Sequence, residues 1–365
     1  MEKVIGIIGS TGLLGQSIIN FMKDKYTLIG LDRIKTKEDK KLYKEYVFDL
    51  NCEEKLTDFI KECDIVVNCS GPSYFIKDKV LKICIKLEKD YIDPFGSLDL
   101  IKNSSYEKLN SRVLIWCGDY PGFTGIIPYW VKSEVLDSID YLEINRGSNE
   151  KISASAVCDL LLSSNMNFGK ANYYLDNNIL TYNKSKIKKE YSRHIGKNLY
   201  IAEFINKEIL EVSKKLKIKT AHFGNIFFDK KDIEFINEAY FEMSLSKKEN
   251  LLSVSKSIAN RFNINKTEES ETLFIVRVCG IKKGYNRKRE IIISSKKSYD
   301  VSAYIIKKCI DNIIDKKFEY GVYRPFEILN AKELVDNMLE VNIIDKIKVF
   351  DLFSNEANIY DIGSI

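Results

Sequence analysis

Two histidines in 365 residues leave little for a metal centre to use. The eight cysteines stand at 52, 63, 69, 84, 117, 158, 279 and 309, and no two make a Cys-x-x-Cys pair. No metal is therefore expected. Cys69, Cys84 and Cys279 fall within apolar runs, where a thiol behaves as a small buried hydrophobe. Cys117 ends such a run and reads as core in the same way. Reduced thiols fit a cytoplasmic protein. No apolar run approaches the ~18 residues of a membrane span, and the N-terminus lacks the charged-then-apolar pattern of a signal peptide. Charge of one sign is also missing. The 57 basic and 52 acidic side chains are interleaved and leave a net charge of only +5, which gives no footprint for nucleic acid or a membrane surface. What is present is ordinary globular composition, 45% hydrophobic and 30% charged. The length exceeds what one core usually organises, so two domains are expected.

The first 120 residues alternate strand and helix. Residues 3–9 are a continuous apolar run, as in a strand buried on both faces of a parallel sheet. Leu13 to Lys23 has helical spacing, 26–31 is a second strand, and 46–48 a short third. Helix 52–62, strand 64–69, helix 76–88, strand 90–93, helix 97–109 and strand 112–117 continue the rhythm. This predicts a Rossmann-type doubly wound parallel sheet over 1–122. A helix from 123 to 136, strand 140–145 and helix 153–163 follow. Longer alternating strands at 172–182, 218–228 and 272–294, the last with a turn at Lys283-Gly284-Tyr285, predict a second α+β domain over 123–300 on a mostly antiparallel sheet. The Lys-, Ser- and Arg-rich stretch 183–198 reads as an exposed loop or linker. Helical patterns at 299–315 and 326–340 place C-terminal helices in 301–365, expected to pack back on the first domain.

The chemistry is concentrated in Gly9-Ser10-Thr11-Gly12-Leu13-Leu14-Gly15, between the first strand and first helix. Glycines there make a tight turn, let backbone approach a pyrophosphate, and let helix pack on strand. The helix start adds unpaired N–H groups and the positive end of its dipole. Asp32 lies 23 residues beyond Gly9, at the end of strand two, where a carboxylate accepts hydrogen bonds from the adenosine ribose hydroxyls. That leans toward NAD. Arg33 beside it could instead pair with a 2′-phosphate or stack on adenine, so the cofactor is NAD(P)H with the choice open. Asp49, ending strand three, could reach the adenine amino group or cap the next helix. Asn68-Cys69-Ser70-Gly71-Pro72 ends strand four and offers Asn68, Ser70, Gly71 and Pro72 to the nicotinamide-side ribose.

With these residues in view, the chain resembles the saccharopine dehydrogenase-like oxidoreductases whose loop reads G-x-x-G-x-x-G. The resemblance is carried by Asp64–Pro72, Lys89-Asp90-Tyr91-Ile92-Asp93, Cys117-Gly118-Asp119-Tyr120-Pro121-Gly122, Ile275–Gly280 with Lys283-Gly284, and Tyr320-Gly321-Val322 with Pro325 and Glu327. It implies a pyridine-nucleotide oxidoreductase working at a carbon–nitrogen bond, by imine reduction or amino-acid oxidation. It also implies a second domain that supplies the substrate floor, a small-molecule substrate and a homodimer. One departure matters. The saccharopine reductases proper carry an aspartate directly before Pro-Gly; here Tyr120 holds that position and Asp119 precedes it.

Imine reduction needs a group that protonates nitrogen as hydride reaches carbon. Tyr120, Asp119 and Asp93 sit on loops after strands of the nucleotide sheet, the edge where such sheets bind ligands. Asp93, directly before Pro94, has as its alternative the commoner role of an aspartate there, fixing its own turn by bonding its own backbone. Arg146 is a candidate clamp for a substrate carboxylate or a solvated turn residue. His194 and His222 read as structural or solvated. Other readings are a reductase of a carrier-bound or peptide-derived imine such as a thiazoline, and a non-catalytic Rossmann nucleotide sensor. A short-chain dehydrogenase would need Tyr-x-x-x-Lys on a helix after strand four or five, and none stands there.

Overall fold

The computed structural model describes residues 3–35, 42–96, 109–163, 167–185, 187–264, 266, 270–352 and 360–361. It divides into two compact units: Met1–Ile126 with Tyr299–Leu334, and Ile127–Ser298 with Val335–Ile365.

The first unit opens with β1 (Val4–Ile8), α1 (Leu13–Met22), β2 (Thr27–Asp32), β3 (Lys44–Val47), α2 (Glu53–Glu62), β4 (Ile65–Asn68), α3 (Ser73–Ile76), α4 (Lys79–Lys86), β5 (Asp90–Ile92) and β6 (Arg112–Leu114), and α5 (Phe123–Trp130) begins in it and ends in the second. Every strand pairing is parallel, in the order β6-β5-β4-β1-β2-β3. The apolar runs explain this. Ile5, Ile7, Val66, Val67 and Ile92 are all sealed from solvent, as strands covered on both faces require. The sequence-predicted helix 97–109 falls almost wholly on 97–108, outside the described residues. The predicted helix 123–136 is present, but its last turn widens. Pro128 removes a backbone donor inside α5, and the chain leaves through a wider π-turn over Val131–Val135.

The second unit holds β7 (Ser138–Ser148), α6 (Ala154–Leu162), β8 (Gly169–Ala171), β9 (Tyr173–Asp176), β10 (Ile179–Tyr182), β11 (Lys188–Ser192), β12 (Lys197–Asn206), α7 (Lys207–Leu216), β13 (Thr220–Phe227), α8 (Lys230–Leu245), α9 (Leu251–Asn263), β14 (Thr272–Lys282) and β15 (Tyr285–Ser295). Its sheet is antiparallel except for the parallel pair β13 and β7. Lys283 and Gly284 turn the β14–β15 hairpin with φ of 51° and 80°, the left-handed pair that a two-residue turn demands. The stretch expected as one strand over 172–182 is also a hairpin. Asn177 and Asn178, at φ 46° and 66°, fold β10 back on β9. The expected linker 183–198 contains β11, paired along its whole length with β12. Three helices absent from the sequence reading, α7, α8 and α9, fill 207–263. Asn206 and Asp229 start α7 and α8 by accepting hydrogen bonds from the Ile209 and Lys231 amides, both at 2.9 Å.

The chain then runs through α10 (Ser298–Ile314), β16 (Gly321–Tyr323), α11 (Pro325–Ile328), α12 (Ala331–Glu340), β17 (Lys346–Asp351) and β18 (Tyr360–Asp361). β16 joins β6 in parallel and makes the first sheet seven-stranded among the described residues. α10 packs in the first unit, where Asp300 accepts from Ser17 Oγ at 2.5 Å and Asp311 from Tyr26 at 2.6 Å. β17 extends the second sheet beside β15.

Candidate nucleotide site

The glycine loop leaves β1 at Ile8 and enters α1 at Leu13. Gly9 has φ +82°, and its amide donates to Leu31 O at 2.8 Å. A Cβ on Gly15 would lie 2.3 Å from Gly9 O, so only glycine lets α1 sit this close to the loop. Gly12 is different. A Cβ there would meet only Gly9 O, at 3.4 Å, and Gly12 and Leu13 are exposed. The protein itself does not need glycine at position 12; a ligand lying against the start of α1 would. Ser10, by contrast, turns inward, fully buried with its Oγ against Gly30.

Asp32 closes this loop from the end of β2. Its Oδ2 accepts from Thr11 Oγ1 at 2.6 Å and from the Thr11 amide at 3.1 Å, and its Oδ1 accepts from the Arg33 amide at 2.6 Å. Arg33 is exposed beside it. Asp49 is exposed and accepts from the Asn51 amide at 2.8 Å, while Cys52 occupies the position before α2. Asp49 thus shapes the turn into that helix without capping it.

The remaining loops are tied to the first in a chain. A Cβ on Gly9 would lie 2.9 Å from the backbone of Cys69 and Ser70. Ser70 Oγ donates to Asn68 Oδ1 at 2.5 Å, and Asn68 Nδ2 donates to Tyr91 and Asp93. The Cys117 amide donates to Asp93 O at 3.2 Å, and Pro94 O lies against Gly118. Gly118 to Gly122 then forms a tight turn with Gly118 N donating to Pro121 O at 2.9 Å. Gly122, at φ +137°, would place a Cβ 2.0 Å from Gly118 O. Loops after β1, β2, β4, β5 and β6 therefore meet along one edge of the parallel sheet, with Gly71–Pro72 and Tyr120–Pro121 both cis.

Known proteins resemble this chain in part of its sequence and in its fold. Residues 5–120 match the family described as saccharopine dehydrogenase NADP binding domain. The first 120 residues are therefore similar to the nucleotide-binding domain of the saccharopine dehydrogenases. No curated protein matches the sequence. Among solved structures, apo saccharopine dehydrogenase (L-Glu forming) from Saccharomyces cerevisiae is similar over 96% of this chain and 100% of its own, at 12% identity and TM-score 0.67. An engineered D-amino acid dehydrogenase bound to NADP+ aligns over 93% and 99%, at 16% identity and TM-score 0.48. DAP dehydrogenase from C. glutamicum aligns over 93% and 98%, at 14% identity and TM-score 0.43. The match over residues 5–120 and the structural likeness to saccharopine dehydrogenase give this chain an NAD(P)-binding dehydrogenase-like fold. The family description names NADP, so the sequence-based lean toward NAD gains no support.

Asp119 and Tyr120 are half-buried in the Gly118–Gly122 turn. The Asp119 amide donates to Ser302 Oγ of α10 at 2.8 Å, and the Thr124 amide donates to Asp119 O. Asp93 is buried, and so are Cys117 and its neighbour Cys309. Burial and the nearby Cys309 push the Cys117 thiol up, away from a nucleophile's range. Arg146 belongs to the second unit, half-buried within β7 opposite Phe274 and Asn225. It is a strand residue, not a turn residue, on the face shared with Leu142 and Ile144. Both histidines bond a carboxylate through Nδ1: His194 to Glu290 at 2.7 Å, stacked on Phe350, and His222 to Glu203 at 2.5 Å, stacked on Tyr174. No helix among the described residues is long and apolar enough to cross a membrane, and none of their His, Cys, Asp and Glu side chains group as a metal site.

Proposed function

We propose that the chain is an NAD(P)-dependent oxidoreductase acting at the carbon–nitrogen bond of a small amine or amino-acid substrate. The observation that carries this reading is the continuous linkage from the glycine loop, through Asp32 on one side and Ser70, Asn68 and Asp93 on the other, to the Asp119–Tyr120 turn. A bound nicotinamide would supply or accept the hydride. The residues present fit such a cofactor, since Gly12 leaves the start of α1 open to a pyrophosphate. The Gly9–Leu14 backbone holds the phosphates. Asp32 orients the adenosine ribose, and Asp32 with Arg33 sets the choice between a 2′-hydroxyl and a 2′-phosphate. The Asn68–Pro72 turn meets the nicotinamide-side ribose. Tyr120 or Asp119 carries the proton that nitrogen gains or loses. Arg146 is the candidate in the second unit for a substrate carboxylate. The resemblance to the saccharopine dehydrogenases supports the carbon–nitrogen assignment, and the subunits are proposed to pair as a homodimer in the cytoplasm.

Fluorescence titration with NADH and NADPH tests the reading directly. Binding of at least one is expected, and binding of neither removes it. Replacing Asp32 with Ala is expected to weaken NADH more than NADPH; the reverse order assigns cofactor choice to Arg33. With a panel of amino and imino acids, Tyr120→Phe or Asp119→Asn is expected to lower turnover by about 100-fold or more. Unchanged turnover in both moves the proton donor elsewhere.

A further inference from the structure

Three polar side chains lie buried where β4 and β5 end: Asn68 at 5%, Tyr91 at 2% and Asp93 at 8% exposure. Their hydrogen bonds leave little freedom. Asp93 Oδ1 accepts from the Phe95 and Gly96 amides, both at 2.9 Å. Its Oδ2 accepts from the Tyr91 hydroxyl at 2.6 Å and from Asn68 Nδ2 at 3.3 Å. All four contacts donate to Asp93 and so favour its carboxylate, working against the burial that raises its pKa. Tyr91, whose hydroxyl proton goes to Asp93, itself accepts from Asn68 Nδ2 at 3.1 Å. The Asn68 amide is thereby fixed in orientation. Its nitrogen faces Tyr91 and Asp93, and its oxygen faces Ser70, accepting from Oγ at 2.5 Å and from the amide at 3.4 Å. Ser70 in turn borders Gly9.

We propose that Asp93 is a positioning residue and not a proton donor: with Tyr91 it orients the Asn68 amide, which holds the Ser70–Pro72 turn in place for the nicotinamide half of the dinucleotide. This rests on the dinucleotide reading above. The sequence places these groups to act together. Tyr91 lies in β5 and Asp93 directly follows its end, two residues on in the same chain direction, and the two side chains meet. Asn68 ends the adjacent strand, paired with β5 in parallel. A buried network of this kind holds geometry only while every donor meets an acceptor.

The test compares two ligands: whichever of NADH and NADPH the wild type binds more tightly, and AMP, which lacks the nicotinamide half. Tyr91→Phe is expected to raise the dinucleotide Kd about five- to twentyfold, and Asp93→Asn or Asn68→Asp alone at least as much. The AMP Kd should stay within about twofold. The double variant Asn68→Asp with Asp93→Asn exchanges donor and acceptor across the pair and should recover most of the lost affinity. A purely structural role would weaken AMP and dinucleotide alike, and a proton-donor role would leave binding of both untouched. Either result overturns the proposal, as does a double variant that binds no better than the worse single one. Tyr91→Phe removes one oxygen from a packed ring and keeps the test decisive if the Asp93 variants do not fold. A wild type that binds neither dinucleotide instead fails the underlying reading.

Discussion

Replacing Arg277 with Met should cost the second unit about 3–5 kcal/mol at neutral pH, the range for breaking a buried ion pair by removing one partner. The figure follows from what the guanidinium holds. Arg277 lies in the middle of β14 with Glu143 of β7 and Glu290 of β15 as its two register partners. Nε donates to Glu290 at 2.6 Å, Nη1 to Glu143 at 3.0 Å, and Nη2 to Glu190 of β11. The side chains of Arg277, Glu143, Glu190 and Glu290 are only 15%, 12%, 15% and 8% exposed. Removing the cation leaves three carboxylates together with little water. Lys188 reaches Glu190 at 2.7 Å but is 56% exposed and compensates weakly.

The same geometry dictates a pH dependence. Burial pushes the Glu143 carboxyl up, but the Arg277 and Lys188 charges with bonds from Asn145 and Tyr141 overcome it and leave it below its ordinary value. Glu190 is likewise lowered, burial being outweighed by its bonds to Arg277 and Lys188. A carboxylate lowered in the folded state stabilises fully above its unfolded value, about 4.3, and that contribution is lost as pH falls through the lowered folded value. In Arg277→Met, burial acts without its main opponent, so the carboxyls rise above the unfolded value. The variant is then penalised at neutral pH and relieved as acid protonates them. Urea denaturation followed by circular dichroism at pH 7.5 and 5 should show a gap that narrows toward the lower pH. Thermal midpoints at pH 7.5 should differ by roughly 10 °C, at about 2–4 °C per kcal/mol for a unit of this size. A gap below 1 kcal/mol, or one of equal size at both pH values, would refute the reasoning. Lys188→Met serves as the exposed control, with an expected effect under about 1 kcal/mol.

Two glycine substitutions should separate folding from ligand binding. Gly15→Ala drives a Cβ to 2.3 Å from Gly9 O and should cost roughly 2 kcal/mol or more in denaturation. Gly12→Ala meets nothing closer than 3.4 Å and should unfold like the wild type yet bind NAD(P)H at least tenfold more weakly; unchanged affinity would count against the pyrophosphate position. Thiol titration gives a third check. Cys63, Cys84, Cys117, Cys158 and Cys309 are buried among eight free cysteines, so a disulfide reagent should label no more than three thiols rapidly in native buffer and all eight in urea. Rapid labelling of five or more would contradict this packing.

The first sheet was legible because its signal is local. A strand buried on both faces needs only apolar neighbours, and the glycines at 9, 12 and 15 mark the turn that follows. The β14–β15 hairpin was legible for the same reason, since Lys283-Gly284 between alternating strands fixes its own register. The second unit was not, because its order comes from distant partners. Glu143 and Arg277 are 134 residues apart, and each alone reads as a polar position on a half-exposed strand. β11 carries lysine, glutamate and serine and resembles a linker until β12 pairs with it and Arg277 neutralises Glu190. α7 is a lysine-rich helix between two strands, and its start depends on a cap by Asn206 that spacing alone did not single out.

Asp93 marks the boundary between the two cases. An aspartate before proline more commonly fixes its own turn, as the Phe95 and Gly96 amides on Asp93 Oδ1 show, while its place on the ligand edge of a Rossmann sheet also suggested a proton donor. Exposure does not follow from either pattern. Yet Tyr91-x-Asp93 places two polar groups together at the end of an apolar strand, and Asn68 ends its neighbour. Buried polar groups must find partners. Three of them at adjacent strand ends therefore argue for one another as partners before they argue for a substrate, and the hydrogen bonds among them bear this out.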